Sequence, residues 1–137
     1  MKNIVVVCLD YCYALKIGKQ LSNILNMQHI DFDEIIKNGL INSLDYPLSI
    51  SNEIMQIKEK SILEELADME NVIISLTDDE FISNENYMLF DNSFVILLEV
   101  GYKNNIKENI QKLIKKHCNY SVDVKKIKIN SLVKVIN

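Results

Sequence analysis

The chain has 137 residues, 48% of them apolar and 25% charged, which is enough chain for one hydrophobic core and the profile of a globular domain. No apolar run approaches the ~20 residues of a membrane span, and Met1-Lys2-Asn3 leads into a short apolar stretch unlike a secretory leader, so a cytoplasmic protein is expected. All 15 basic residues are lysine and there are three glycines (Gly18, Gly39, Gly101); without guanidinium forks or clustered glycines, arginine-finger and glycine-loop phosphoryl transfer are excluded.

Ile4 to Leu9 is a continuous, mostly β-branched run and predicts a strand buried on both faces, as in a parallel sheet. Ala14, Ile17, Leu21, Ile24 and Leu25 recur at helical spacing and predict a helix over about 12–26. His29 to Phe32 reads as a second strand, with Asp33 as N-cap of a helix through Ile36. Residues 38–50, holding Gly39 and Pro47, read as a connector, and Ser51 caps a helix with Met55, Ile62, Leu66 and Met69 on one stripe. Val72 to Leu76 is a third strand, and Ser83 precedes a short helix with Tyr87 and Leu89. Phe94 to Val100 is the fourth and most apolar strand. An amphipathic helix over 104–118 follows, with Lys107, Lys112, Lys115 and Lys116 on its wet side. Val122, Val124, Ile127 and Ile129 alternate with solvated residues and suggest a last strand. The alternation predicts a single three-layer α/β/α domain over 1–137 with a mostly parallel, five-stranded sheet.

Charge is unevenly spread. Residues 1–100 hold six lysines against 17 acids and residues 101–137 hold nine against two. The lysine-rich end either neutralises the acidic part or forms an anion-binding patch; its alternation with apolar residues favours the first, and nucleic-acid binding through Lys125, Lys126, Lys128 and Lys134 is not expected. Cys8, Cys12 and Cys118 are odd in number and lack metal-binding or redox spacing, so they read as ordinary thiols.

Ligands of parallel sheets bind beyond the carboxyl ends of the strands. There this sequence places Asp10-Tyr11-Cys12-Tyr13, then Asp31 and Asp33, then Asp78-Asp79-Glu80, then Glu99. Such an acidic mouth is the opposite of what a phosphate ester needs.

The order and spacing of these residues resemble the shikimate kinase family. Ile17-Gly18 and Leu21 match the start of its first helix, and Ile30-Asp31-Phe32-Asp33-Glu34 matches its I-D-x-D-E element. Glu59 and Leu63 match its substrate-side helix, Ile74-Ser75-Leu76 its third strand and Leu97 to Val100 its fourth. Tyr120, Val122 and Lys126–Asn130 resemble its C-terminal strand region. The resemblance implies a P-loop kinase-like fold, with ATP, magnesium and shikimate as the family's ligands.

The departures fall on the chemistry. The family's G-x-x-G-x-G-K-S/T loop lies over Cys8, Tyr11, Tyr13, Ala14 and Leu15, which supply neither its glycines, its lysine nor its hydroxyl. Lys16 lies two positions past the usual lysine, a rotation of roughly 200° on a helix, and does not substitute. The substrate arginine falls at Gln56, the three pocket glycines fall at Thr77, Asp78 and Asp79, and the lid segment is deleted after about residue 100.

These departures imply a catalytically inactive pseudoenzyme serving as a binding or regulatory module. No cofactor is expected, ATP and magnesium binding being lost, with Tyr11 and Tyr13 filling the nucleotide's space. Its partner is a second copy or another protein. Asp31 and Asp33 survive, either as residual ligand groups or as strand-end caps. Two other readings remain. Asp10, Asp31, Asp33, Asp78 and Asp79 would converge on a divalent metal for different chemistry, against a bland alternative of solvated acidic loops; or shikimate kinase activity persists.

Overall fold

A computed structural model describes residues 2–41, 52–101 and 105–137. Five strands, β1 (Ile4–Cys8), β2 (Gln28–Asp31), β3 (Val72–Leu76), β4 (Phe94–Glu99) and β5 (Tyr120–Asp123), form one sheet in the order β2-β3-β1-β4-β5, every pair parallel. β1 and β3 are buried at every position, which is why they read as apolar runs, interrupted only by Ser75 in β3.

Six helices cover the sheet: α1 (Tyr11–Leu25), α2 (Phe32–Ile41), α3 (Asn52–Ala67), α4 (Asp78–Ile82), α5 (Asn105–Lys115) and α6 (Ile129–Ile136). Val5, Val7, Ile74, Leu76 and Leu97 point to the face packed by Phe32, Leu63, Phe81 and Ile114, from α2, α3, α4 and α5. Ile4, Val6, Ile73, Ile96 and Leu98 point to the other face, packed by Ala14, Ile17, Leu21 and Leu132 from α1 and α6. The period-two alternation of the strands thus fills both cores at once.

Several boundaries differ from the sequence reading. Helix α2 begins at Phe32 and runs through Gly39 to Ile41, because the Asp31 carboxylate, one strand residue earlier, accepts the Glu34 N–H at 3.2 Å. Asp33 is a first-turn residue, not the cap. On α3 the inward positions are Leu63 and Leu66; Met69 lies beyond the helix end and is exposed. The proposed Ser51 cap, Pro47 and most of the 38–50 connector lie outside the described residues.

A short helix, α4, precedes the 3-10 segment Ser83–Phe90 and opens on a capping box: Thr77 Oγ1 accepts the Glu80 N–H at 3.2 Å and Glu80 Oε1 accepts the Thr77 N–H at 2.9 Å. The lysine-rich end differs most. β5 stops at Asp123, whose carboxylate accepts the Lys125 N–H at 2.8 Å and turns the chain into a single 3-10 turn, Val124–Lys126. Lys126–Asn130 is therefore not a strand, and Ile129 opens α6, whose Leu132 is buried beside α1.

Candidate functional site

The mouth of the sheet is built from the ends of β1, β2 and β3. β1 ends at Cys8, whose buried thiol is pushed up to about 12 mainly by desolvation, so it stays protonated. Helix α1 begins only three residues later. Asp10 is its N-cap: its carboxylate accepts the Cys12 N–H at 3.2 Å and its carbonyl accepts the Tyr13 N–H at 3.1 Å. Tyr11, Cys12, Tyr13, Ala14 and Leu15 are all helical, and the amides that an anion would use at the helix head are turned toward Asp10.

Tyr11 lies across the strand ends. Its hydroxyl donates to Asp31 Oδ1 at 2.5 Å, with the Ser75 carbonyl 3.2 Å away as a second acceptor, and it accepts the Asp33 N–H at 3.3 Å. Burial and the Asp31 carboxylate hold its pKa well above the ordinary phenol value, so the ring is a neutral donor. Tyr13, expected to share this role, instead sits on the surface at 40% exposure, because a helical position two residues on faces away from the sheet.

Below Tyr11 the contact between α1 and the sheet is unusually close. Ser75 Oγ donates to the Ala14 carbonyl at 2.7 Å, which commits its hydrogen. His29 Nε2, 2.9 Å from the same oxygen, must then carry the proton that it donates. Gly18 permits this approach: a Cβ there would lie 2.5 Å from Ser75 Oγ and 2.7 Å from His29 Nε2. Desolvation lowers the His29 pKa, consistent with a neutral ring.

The second part of the mouth is crowded with acid. The Asp33 carboxylate from α2 hydrogen-bonds the Glu80 carboxyl from α4, and burial together with that contact pushes Glu80 up to about 9, so the pair holds one proton at neutral pH. Glu59 on α3 is also raised, first by burial and then by the charge on Asp33. The sequence places Glu80 at the acidic mouth and Glu59 on the substrate-side helix, and the Thr77-x-x-Glu80 spacing is a readable capping box, but the contact of Glu80 with Asp33 is not readable.

The five aspartates expected to converge serve separate roles. Asp10 caps α1, Asp31 takes Tyr11, Asp33 meets Glu80, Asp79 is exposed, and Asp78 is 4% exposed at the start of α4. Asp78 Oδ1 accepts the Asp79 N–H at 2.9 Å, whereas Oδ2 has no hydrogen-bond partner among the described residues and lies 4.0 Å from Lys107 Nζ. Among the described residues no group of three His, Cys, Asp or Glu side chains is placed to hold a metal ion.

Helix α5 closes the β4 side. Lys107 approaches Asp78, the Gln111 amide bonds the Val100 N–H at 3.1 Å, and Lys115 pairs with Glu99 at 2.7 Å, one contact per turn. Lys107 and Lys115 thus reach carboxylates at the strand ends while Lys115 stays exposed and Lys107 half-exposed.

This strand order, with a helix rising from the end of the central strand at the crossing point of the connections, is the P-loop kinase-like class of α/β domain. Among solved structures, the chain is similar to the shikimate kinase of Aquifex aeolicus, at 18% identity and a TM-score of 0.77 over 98% of this chain and 92% of that one. It is similar to the shikimate kinase from Acinetobacter baumannii in complex with shikimate, at 15% identity and 0.75 over 99% and 90%. A gluconokinase from Sinorhizobium meliloti superimposes more loosely, at 14% identity and 0.59 over 98% and 88%. No curated protein matches in sequence. The family model described as Shikimate kinase matches residues 16–125, and the chain belongs to the shikimate kinase family. Among the described residues, no helix is long and apolar enough to cross a membrane.

Proposed function

We propose that this member of the shikimate kinase family is catalytically inactive and serves as a binding or regulatory module. The observation that carries the reading is the head of α1, where the family resemblance lays a phosphate loop and this chain has helix from Tyr11, capped by Asp10 and pinned to Asp31. A phosphate there would meet a carboxylate and a phenol in place of free amides and a lysine. The family match also begins at Lys16, immediately past these residues. The magnitudes favour full loss. Removing one transition-state contact costs roughly 2.7–4 kcal/mol, so one loss would leave measurable turnover. Here the loop amides, the loop lysine, the substrate arginine and the lid go together.

On this reading ATP, magnesium and shikimate are not ligands, and the fold works through a partner, a second copy of the chain or another protein. A cytoplasmic setting suits the free thiols of Cys8, Cys12 and Cys118. Calorimetric titration with ATP and Mg²⁺ is expected to show no heat of binding, and a coupled assay with ATP and shikimate no turnover. Micromolar ATP affinity would overturn the proposal, and turnover would make the chain a residual shikimate kinase.

A further inference from the structure

The alternation of lysine with apolar residues after Val122 suggested a strand, but the chain there does something else. The Asp123-capped turn brings Val124, Ile127 and Ile129 round toward α1, where they pack beside Ile17 and Leu132 yet stay half-buried. Between this segment and α1 lies a groove of about 300 Å³. Its wall on the α1 side carries Tyr13, Lys16 and Gln20, one turn apart. Apart from the Tyr13 backbone N–H on Asp10, none of these residues takes part in the contacts described at the head of α1.

The chemistry of the groove is specific. Its floor is aliphatic, and the 40%-exposed Tyr13 ring stands at its rim. Among the described residues that line it the one cation is Lys16, which is exposed and pairs with no described carboxylate, while the acid of the facing segment, Asp123, is turned back as a cap. Lys125, Lys126 and Lys128 add exposed positive charge to the facing segment. An apolar floor under an unpartnered ammonium suits a ligand with a flat hydrophobic body and one negative end. One ammonium and one amide match a monoanion better than a phosphate dianion, and the volume, at the lower end for ligand sites, limits the body to one or two rings. We propose that the groove between α1 and the β5–α6 segment binds a small aryl carboxylate, with its ring on Ile17, Val124 and Ile127 and its carboxylate on Lys16.

The test uses the whole chain and 2-naphthoate as probe, followed by ligand fluorescence and by amide chemical shifts. Saturable binding is expected, with shifts centred on Ile17, Gln20 and Ile127. Lys16→Gln is expected to weaken it about tenfold, the size of one charge-assisted contact. The neutral 2-naphthamide is expected to bind the unaltered protein about tenfold more weakly, and the Lys16→Gln variant no differently from the acid. Because Lys16 is exposed, the variant should keep its melting temperature. Equal affinity for acid and amide, shifts centred elsewhere, or no saturable binding would overturn the proposal. Displacement of 2-naphthoate by ADP would instead overturn the inactive-kinase reading and leave the groove's preference for anions standing.

Discussion

The head of α1 and the acid-lined face of α2, α3 and α4 lie on the same mouth and are finished in opposite ways. At the head of α1, Asp10, Tyr11, Asp31, Ser75 and His29 each have a hydrogen-bond partner, and the one close approach is made at a glycine. On the other face, Asp33 and Glu80 hold one proton between them, Glu59 is raised by burial and by the same charge, and Asp78 Oδ2 has no hydrogen-bond partner among the described residues. The first region is arranged for stability, and the second keeps an electrostatic cost that the Thr77 N–H on Glu80 and Lys107 near Asp78 relieve only in part. A fold that no longer needed the mouth for chemistry would relax both.

The contrast can be broken most directly at Tyr11. Tyr11→Phe removes a hydrogen bond to a charged group and leaves Asp31 half-buried, so stability in urea should fall by about 1.5–3 kcal/mol. An unchanged midpoint would mean that the hydroxyl adds nothing over water. Glu80→Gln acts in the opposite direction. The amide oxygen can still accept the Thr77 N–H and needs no shared proton, so the variant should gain about 1–2 kcal/mol at pH 8.

The sign of the pH effect follows from the raised pKa. A Glu80 that titrates near 9 when folded and at its ordinary 4.5 when unfolded binds more protons in the folded state between those values. Its contribution is complete below pH 4.5 and is lost as pH rises toward 9; thermal melts from pH 5 to 9 should show that decline in the parent and a flatter profile in Glu80→Gln. A parallel decline in both would remove Glu80 as its source.

Gly18→Ala weighs two terms. Overpacking against Ser75 and His29 costs about 1–3 kcal/mol, and the helix propensity gained returns up to about 1, so a net loss of about 1 kcal/mol is expected in denaturant melts. The smallest effect belongs to His29. Its folded pKa lies below the ordinary 6.5, so its contribution is present above that pH and is lost as pH falls below it. Ring proton shifts followed by NMR should show it titrating below 6.5; a midpoint above that value would contradict a neutral ring donating to Ser75.

Much of the fold was legible because it depends on local pattern. The β-branched runs at Val5 and Ile74 and the helical spacing of Ala14, Ile17 and Leu21 each state a period, and the period selects the element. At Val124 to Ile129 the same reading failed. Alternation over so few residues is also produced by a turn and an extended link that pack on a neighbouring helix, and only the position of α1 distinguishes the two.

The candidate site divides in the same way. The sequence by itself determined that the loop glycines, the lysine and every arginine are missing, that acids crowd the strand ends, and that the chain follows its family's order of elements. Tertiary structure alone decided that Tyr11 lies across the strand ends while Tyr13 stays in solvent, that Asp33 meets Glu80, and that the five aspartates serve separate roles. Which residue types are present is a property of the chain. Which of them share a proton depends on distances between α1, α2 and α4, and packing on the sheet sets those to within an ångström.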